Sequence, residues 1–191
     1  MSYVSAPAWG GCDYPSQIKA NNNQTVNLVP GVYCNKITSQ NGGRINFAAG
    51  LYVLNGAALT FHGEAYGTDV QFYLTENTTQ SDNITINAGS SVQLSAPDFA
   101  ADLPAGVLFY QDRNSTAGIN HIINGQTDML LDGILYLPNA DVNFAGGAAA
   151  DPTATVIIAD TITFTGNSEF GNYVLSPIAS NPQLVTVTLV E

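Results

Sequence analysis

The sequence predicts an all-β fold, a right-handed parallel β-helix (β-solenoid) of about six or seven coils. Three observations predict it. Short strand motifs recur along the chain, most of them alternate apolar and polar residues, and no long stretch carries a 3.6-residue period with helix caps. One series of motifs follows Gly or opens a strand: Gly31-Val32-Tyr33, Gly50-Leu51-Tyr52, Val70-Gln71-Phe72-Tyr73-Leu74, Gly106-Val107-Leu108-Phe109-Tyr110, Gly133-Ile134-Leu135-Tyr136 and Thr155-Val156-Ile157-Ile158. The interval is roughly 20 to 35 residues, a solenoid period.

A second series falls between them: Ile45-Asn46-Phe47, Leu59-Thr60-Phe61, Ile84-Thr85-Ile86, Val92-Gln93-Leu94, Met129-Leu130-Leu131, Val142-Asn143-Phe144 and Ile162-Thr163-Phe164. Nearly all read apolar–polar–apolar, the pattern of a half-buried strand. A Gly or Ala usually follows closely, as at Gly63, Gly89, Gly133, Gly146 and Gly166. Two alternating strand types, each in its own register, suit a coil of two or three strands better than the evenly spaced hairpins of a sandwich. With strands about 4.8 Å apart, the rod would be about 30 Å long.

Inward ladders are expected from Ile45 and Phe47, Leu59 and Phe61, Ile84 and Ile86, Val142 and Phe144, and Ile162 and Phe164. Asn46, Thr60, Thr85, Gln93, Asn143 and Thr163 are expected to form one outward polar row, interrupted by Leu130. Residues 75–83, 97–104 and 114–126 are expected to leave the rod as surface loops, where solenoids often carry function. The whole chain, 1–191, is expected to be one domain. Residues 1–30 would form an N-terminal cap and first coil, and 172–191 a C-terminal cap strand. Tyr3, Trp9 and Tyr14 would cover one end, with Tyr66 and Tyr173 in turns. Pro177, Pro182 and the strand 184–190 would cover the other end or the side.

Composition narrows the function. The 191 residues carry 4 Lys+Arg against 15 Asp+Glu, a formal charge of -11. Phosphate neutralisation needs a basic surface, so nucleic-acid binding is excluded, and attraction to anionic lipid fails for the same reason. Charged residues make up 10% of the chain, far below the roughly 25% usual for soluble domains. The surface must therefore be built from Asn, Thr, Ser and Gln, as in secreted all-β proteins. No apolar run approaches the ~20 residues of a membrane helix. Residues 1–7 lack the regions of a signal peptide. The chain is either cytosolic or exported by a signal or anchor outside these residues; the second, with an extracellular, cell-surface or periplasmic location in a bacterium, fits the composition.

Cys12 and Cys34 stand 22 residues apart, about one coil. Stacked coils bring equivalent positions within disulfide reach, so a bridge stapling the first coil is expected in preference to two buried thiols.

Over residues 12–191 the order of motifs resembles the C-terminal domain of TadG-like proteins of bacterial tight-adherence (Flp) pilus assembly. The carriers are Pro30-Gly31-Val32-Tyr33-Cys34, Ala49-Gly50-Leu51-Tyr52-Val53, Val70-Gln71-Phe72-Tyr73-Leu74, Leu94-Ser95-Ala96-Pro97, Gly106-Val107-Leu108-Phe109-Tyr110-Gln111-Asp112-Arg113, Leu131-Asp132-Gly133-Ile134-Leu135-Tyr136-Leu137-Pro138, Ile158-Ala159-Asp160-Thr161-Ile162-Thr163-Phe164 and the ending Leu189-Val190-Glu191. The resemblance implies a periplasmic or surface domain with no assigned chemistry. Its partners would be surface or pilus proteins, with glycans as a second class, and with no membrane insertion by this chain itself. Bacterial ice-binding proteins also use a solenoid with runs such as Pro-Gly-Val-Tyr, but the long helix that packs along theirs has no counterpart here.

The chemistry-bearing residues are scattered. Asp112 and Arg113 end the strongest strand and read either as a ligand-binding carboxylate–guanidinium pair or, more simply, as a pin for the next loop. Glycoside cleavage needs paired acids with cations on one coil face. Here Asp128 and Asp132 flank one strand, Asp141, Asp151 and Asp160 fall on separate turns, and Lys19, Lys36, Arg44 and Arg113 are dispersed. No catalytic residue is assigned, and no enzyme activity is expected. No cofactor is expected either. Calcium is the one candidate, because Asp69, Asp82, Asp98, Asp102 and Asp112 lie near the longer loops and hard oxygen ligands suit it. His62 and His121 read as exposed loop residues. The Asn/Thr row of Asn46, Thr60, Thr85, Asn143 and Thr163 is a weak candidate for a carbohydrate-binding or ice-binding face. These observations favour a non-catalytic extracellular structural or adhesive module, ahead of a carbohydrate-binding module or polysaccharide-active β-helix enzyme, with ice binding third.

Overall fold

The structure, a computed structural model, describes residues 6–76, 82–124, 129–145 and 155–166. Among these, the chain forms fifteen strands and no helix. They are β1 (Ile18–Ala20), β2 (Thr25–Leu28), β3 (Gly31–Tyr33), β4 (Ile37–Ser39), β5 (Arg44–Phe47), β6 (Gly50–Asn55), β7 (Leu59–Phe61), β8 (Glu64–Gly67), β9 (Val70–Thr75), β10 (Ile84–Ile86), β11 (Ser91–Ser95), β12 (Val107–Gln111), β13 (Ile119–Asn124), β14 (Leu130–Ala145) and β15 (Thr155–Thr165).

Every strand pair is parallel, and each strand pairs with its equivalent one coil away. The result is the expected β-solenoid, of about six turns, with three strands per turn. Side 1 stacks β1, β4, β7, β10, β13, the end of β14 and the end of β15. Side 2 stacks β2, β5, β8, β11 and the start of β14. Side 3 stacks β3, β6, β9, β12, the middle of β14 and the start of β15. β14 is long because it runs through all three sides in turn.

Period-2 alternation dictates what lies inside. Ile45 and Phe47 line side 2, while Leu59 and Phe61, Ile84 and Ile86, and Val142 and Phe144 line side 1; all eight are buried. Ile162 and Phe164 continue the side 1 columns, Phe164 stacking on Phe144 at 5.4 Å. They lie on the last described rung and are 39% and 52% exposed. From side 3 an aromatic spine enters the core: Tyr14, Tyr33, Tyr52, Phe72 and Phe109, with successive ring centroids 4.4, 5.7, 5.4 and 4.9 Å apart. Its hydroxyls find partners without leaving the core. Tyr33 donates to Val29 O at 2.5 Å, and the Tyr52 hydroxyl lies 2.8 Å from Ala48 O. Burial raises the pKa of both tyrosines. At Gly63 the backbone of the previous coil passes close by, since a Cβ there would collide with the carbonyl oxygens of Gln40 and Gly43.

The bridge between Cys12 and Cys34 is present, with a Cα–Cα separation of 5.8 Å. It ties the segment before β1 to the end of β3, where Tyr14 also pairs with Tyr33. In the chain-entropy account, closing a loop of this size stabilises by about 3 kcal/mol. Reduction, or Cys12→Ser with Cys34→Ser, is expected to lower unfolding stability by that amount in urea titrations. An unchanged midpoint would mean that the first coil holds without the bridge.

Several expectations are corrected. The outward polar row is not one row: Asn46, Gln93 and Leu130 stand on side 2, and Thr60, Thr85, Asn143 and Thr163 on side 1. Alternation tells inside from outside but not one side of a triangular coil from another. Residues 114–126 are not simply a loop, because 119–124 form β13. His121 is in that strand, fully buried, rather than exposed. Residues 97–104 form the expected surface loop, exposed over 98–102, but Leu103 turns back to pack on the outer face of side 3. Tyr66 lies in β8, not in a turn. Tyr3, Asp128, Asp151, Tyr173, Pro177, Pro182, the strand 184–190 and the cap 172–191 lie outside the described residues.

Candidate functional site

The three outer faces differ in what they offer a partner. Side 3 is closed. Val32, Val53, Tyr73, Tyr110 and Tyr136 point outward but are buried in a second apolar cluster with Leu103 and Val107. Gln71 fastens the cover, accepting the N–H of Leu103 at 3.1 Å and donating towards the carbonyls of Leu103, Pro104 and Val107. The rings of Tyr73, Tyr110 and Tyr136 stack at 5.9 and 4.9 Å.

Side 1 presents Lys19, Thr38, Thr60, Thr85, Ile122, Asn143 and Thr163 from coil to coil. Thr38 and Thr60 are buried, and Ile122 puts an apolar group into the row. A regular flat threonine plane is therefore not formed. Asn143 donates to the Asn120 side chain one coil away at 2.6 Å.

Side 2 is the open polar face. Its outer columns are Thr25, Arg44, Glu64 and Ser91, and Asn27, Asn46, Tyr66, Gln93 and Leu130. The side chains bond across the rungs. Asn46 donates to Asn27 at 2.8 Å, and Arg44 pairs with Glu64, Nε to Oε2, at 2.6 Å. The Arg44 guanidinium sits 5.0 Å from the Tyr66 ring centroid, and the Tyr66 hydroxyl lies 3.1 Å from Ser91 Oγ. An ion pair this exposed contributes roughly 0 to 1 kcal/mol, so its effect is to order the face rather than to hold the fold. Chemically, the face offers amides, hydroxyls, a guanidinium and one aromatic ring on a rigid support. That set suits a neutral polyhydroxylated surface. The sequence held this signal in the one-coil offsets from Asn27 to Asn46 and from Arg44 to Glu64, but it needs the register to be read.

Asp112 and Arg113 do not form an open ligand pair. Asp112 accepts the Tyr73 hydroxyl at 2.9 Å and the backbone N–H of Asn114 at 2.9 Å. Arg113 lies over Tyr136 at 5.4 Å. Both therefore pin the turn after β12. Of the calcium candidates, Asp98 and Asp102 are exposed, Asp112 is engaged, and Asp82 lies near enough to Glu76 and Asp112 to feel their charge; among the described residues no group of three or more His, Cys, Asp or Glu is placed to hold a metal. No helix of the described residues is long and apolar enough to cross a membrane.

Two titratable groups that the sequence places in or near loops, Asp82 and His121, are instead buried on neighbouring coils. Asp82 is fully buried, and its pKa is pushed up to about 6, first by burial and then by Glu76 and Asp112. His121 is fully buried, and burial lowers its pKa to about 4. His121 Nδ1 accepts the Ile84 N–H at 2.9 Å, which leaves the proton of the neutral ring on Nε2. Neither opens onto the side 2 face. No known protein family, curated protein or solved structure matches this chain.

Proposed function

We propose that the chain is a non-catalytic extracellular or surface-associated module with a structural or adhesive job, related to the TadG-like proteins of pilus assembly. One observation carries this reading. The outward polar side chains bond to one another from coil to coil, Asn46 to Asn27, Asn143 to Asn120 and Arg44 to Glu64, on a stack stapled by a disulfide. Such bonds stiffen a rod and order its surface. The disulfide supports an oxidising compartment, and the charge of -11 argues against nucleic acid as a partner.

The test has two arms. The chain is incubated with a panel of polysaccharides and assayed for new reducing ends and unsaturated products, and it is titrated on immobilised pilus filaments and bacterial surface proteins. Saturable protein binding without turnover is the expected result. Turnover of any polysaccharide would overturn the non-catalytic reading.

A carbohydrate-binding module is the second reading. It is favoured by Tyr66 and Arg44 standing beside Asn27, Asn46 and Gln93 on the open side 2 face. Aromatic rings flanked by amides are the usual means of holding a sugar ring.

A further inference from the structure

The corner where side 3 turns into side 1 holds three buried polar groups that lack a side-chain partner among the described residues. Both carboxylate oxygens of Asp82, Nε2 of Gln111 and Oγ of Ser115 are buried without a hydrogen bond. Buried polar groups are almost always paired, so each of these needs an explanation.

Register places them together. Gln111 ends β12 above Leu74 in the last inward column of side 3. Asp82 stands two residues before Ile84, as Ala57 stands two before Leu59 and Ala140 two before Val142; both alanines are fully buried in the first inward column of side 1. These two columns meet at the corner, and Asp82 and Gln111 belong to successive turns of it. Ser115 lies on the turn that follows Gln111. Its N–H donates to Asp112 O at 3.0 Å, and its carbonyl accepts Asn139 Nδ2 at 3.0 Å.

The chemistry is complementary but unjoined. A carboxylate accepts, an amide NH₂ donates, and a hydroxyl does either. The Gln111 amide is oriented by its Oε1 accepting the Asn139 N–H at 3.1 Å, so its NH₂ is the end left over. We infer that this corner is an internal hydration site, in which ordered water bridges the Asp82 carboxyl, the Gln111 amide and the Ser115 hydroxyl. A buried water makes about three such bonds. A cation fits less well, because the Gln111 NH₂ would turn its hydrogens on it. The other nearby acids are also engaged: Glu76 by the N–H and hydroxyl of Thr116, and Asp112 by Tyr73 and Asn114.

Diffraction from the native chain, grown with and without millimolar calcium, tests the inference. The expected result is a density peak at ordinary hydrogen-bond distance from Asp82, Gln111 and Ser115, the same in both crystals. A direct Asp82–Gln111 bond with nothing between them would overturn it, as would a calcium-dependent peak with contacts near ~2.4 Å. In solution, ¹⁷O relaxation dispersion is expected to lose at least one long-lived water in Asp82→Leu with Gln111→Leu. Equal amplitudes in parent and variant would contradict the inference. The diffraction arm needs no variant to fold.

Discussion

Asp82→Asn and His121→Gln are expected to give stability profiles of opposite slope between pH 4 and 6.5. Asp82 has its folded pKa raised to about 6 from an ordinary value of 3.8. The folded state therefore holds this proton more tightly than the unfolded state. Its stabilisation is complete below about pH 3.8 and is lost as pH rises through about 6. His121 has its folded pKa lowered to about 4 from 6.5. Its stabilisation is complete above about pH 6.5 and is lost as pH falls through about 4. Each shift corresponds to about 3 kcal/mol, and in the parent the two slopes largely cancel. Asp82→Asn removes the first, so relative to the parent it gains about 3 kcal/mol on going from pH 4 to 6.5. His121→Gln removes the second and loses about as much. The difference between the two variants should thus move by about 6 kcal/mol across the window, read by urea unfolding at half-unit pH steps. Parallel profiles would mean that neither group is buried as described.

Phe72→Ala is expected to cost about 4 kcal/mol, within the usual range for a fully buried phenylalanine. Phe72 has no exposed surface and stands mid-spine. It faces Tyr52 at 5.4 Å and Phe109 at 4.9 Å in its own columns, and meets Phe47 edge-on at 5.2 Å across the core. Truncation would leave a cavity that flanking rungs cannot close, because the ladders above and below fix their spacing. Phe99→Ala is the control: that ring is 56% exposed and its loss should change stability by under about 0.5 kcal/mol. A Phe72→Ala cost as small as the control's would contradict the stacked spine.

Much of the fold was legible because a solenoid writes its period into the chain. Ile45 and Phe47, Leu59 and Phe61, and Ile84 and Ile86 point inward as alternation requires, and the spacing of Cys12 and Cys34 marked one coil. Assignment of strands to sides was not legible, since it depends on corner geometry that a binary pattern does not encode. β13 was hidden because a histidine occupies an inward position where its neighbours carry Ile84 and Val142. Asp82 looked like a loop acid because burial at a corner is set by the coils on either side of it. The side 2 face was half legible. Asn46 and Gln93 were seen, but Asn27, Glu64 and Tyr66 lie one coil away from one or both of them, and Arg44, on the same strand as Asn46, meets Glu64 only through register.

The most direct test of the structural or adhesive reading is a glycan array probed with the purified, oxidised chain, with and without calcium. No reproducible binding to any sugar class under either condition is the expected result. Binding to one class, lost in Tyr66→Ala while the fold is retained, would contradict it and make the side 2 face a carbohydrate site.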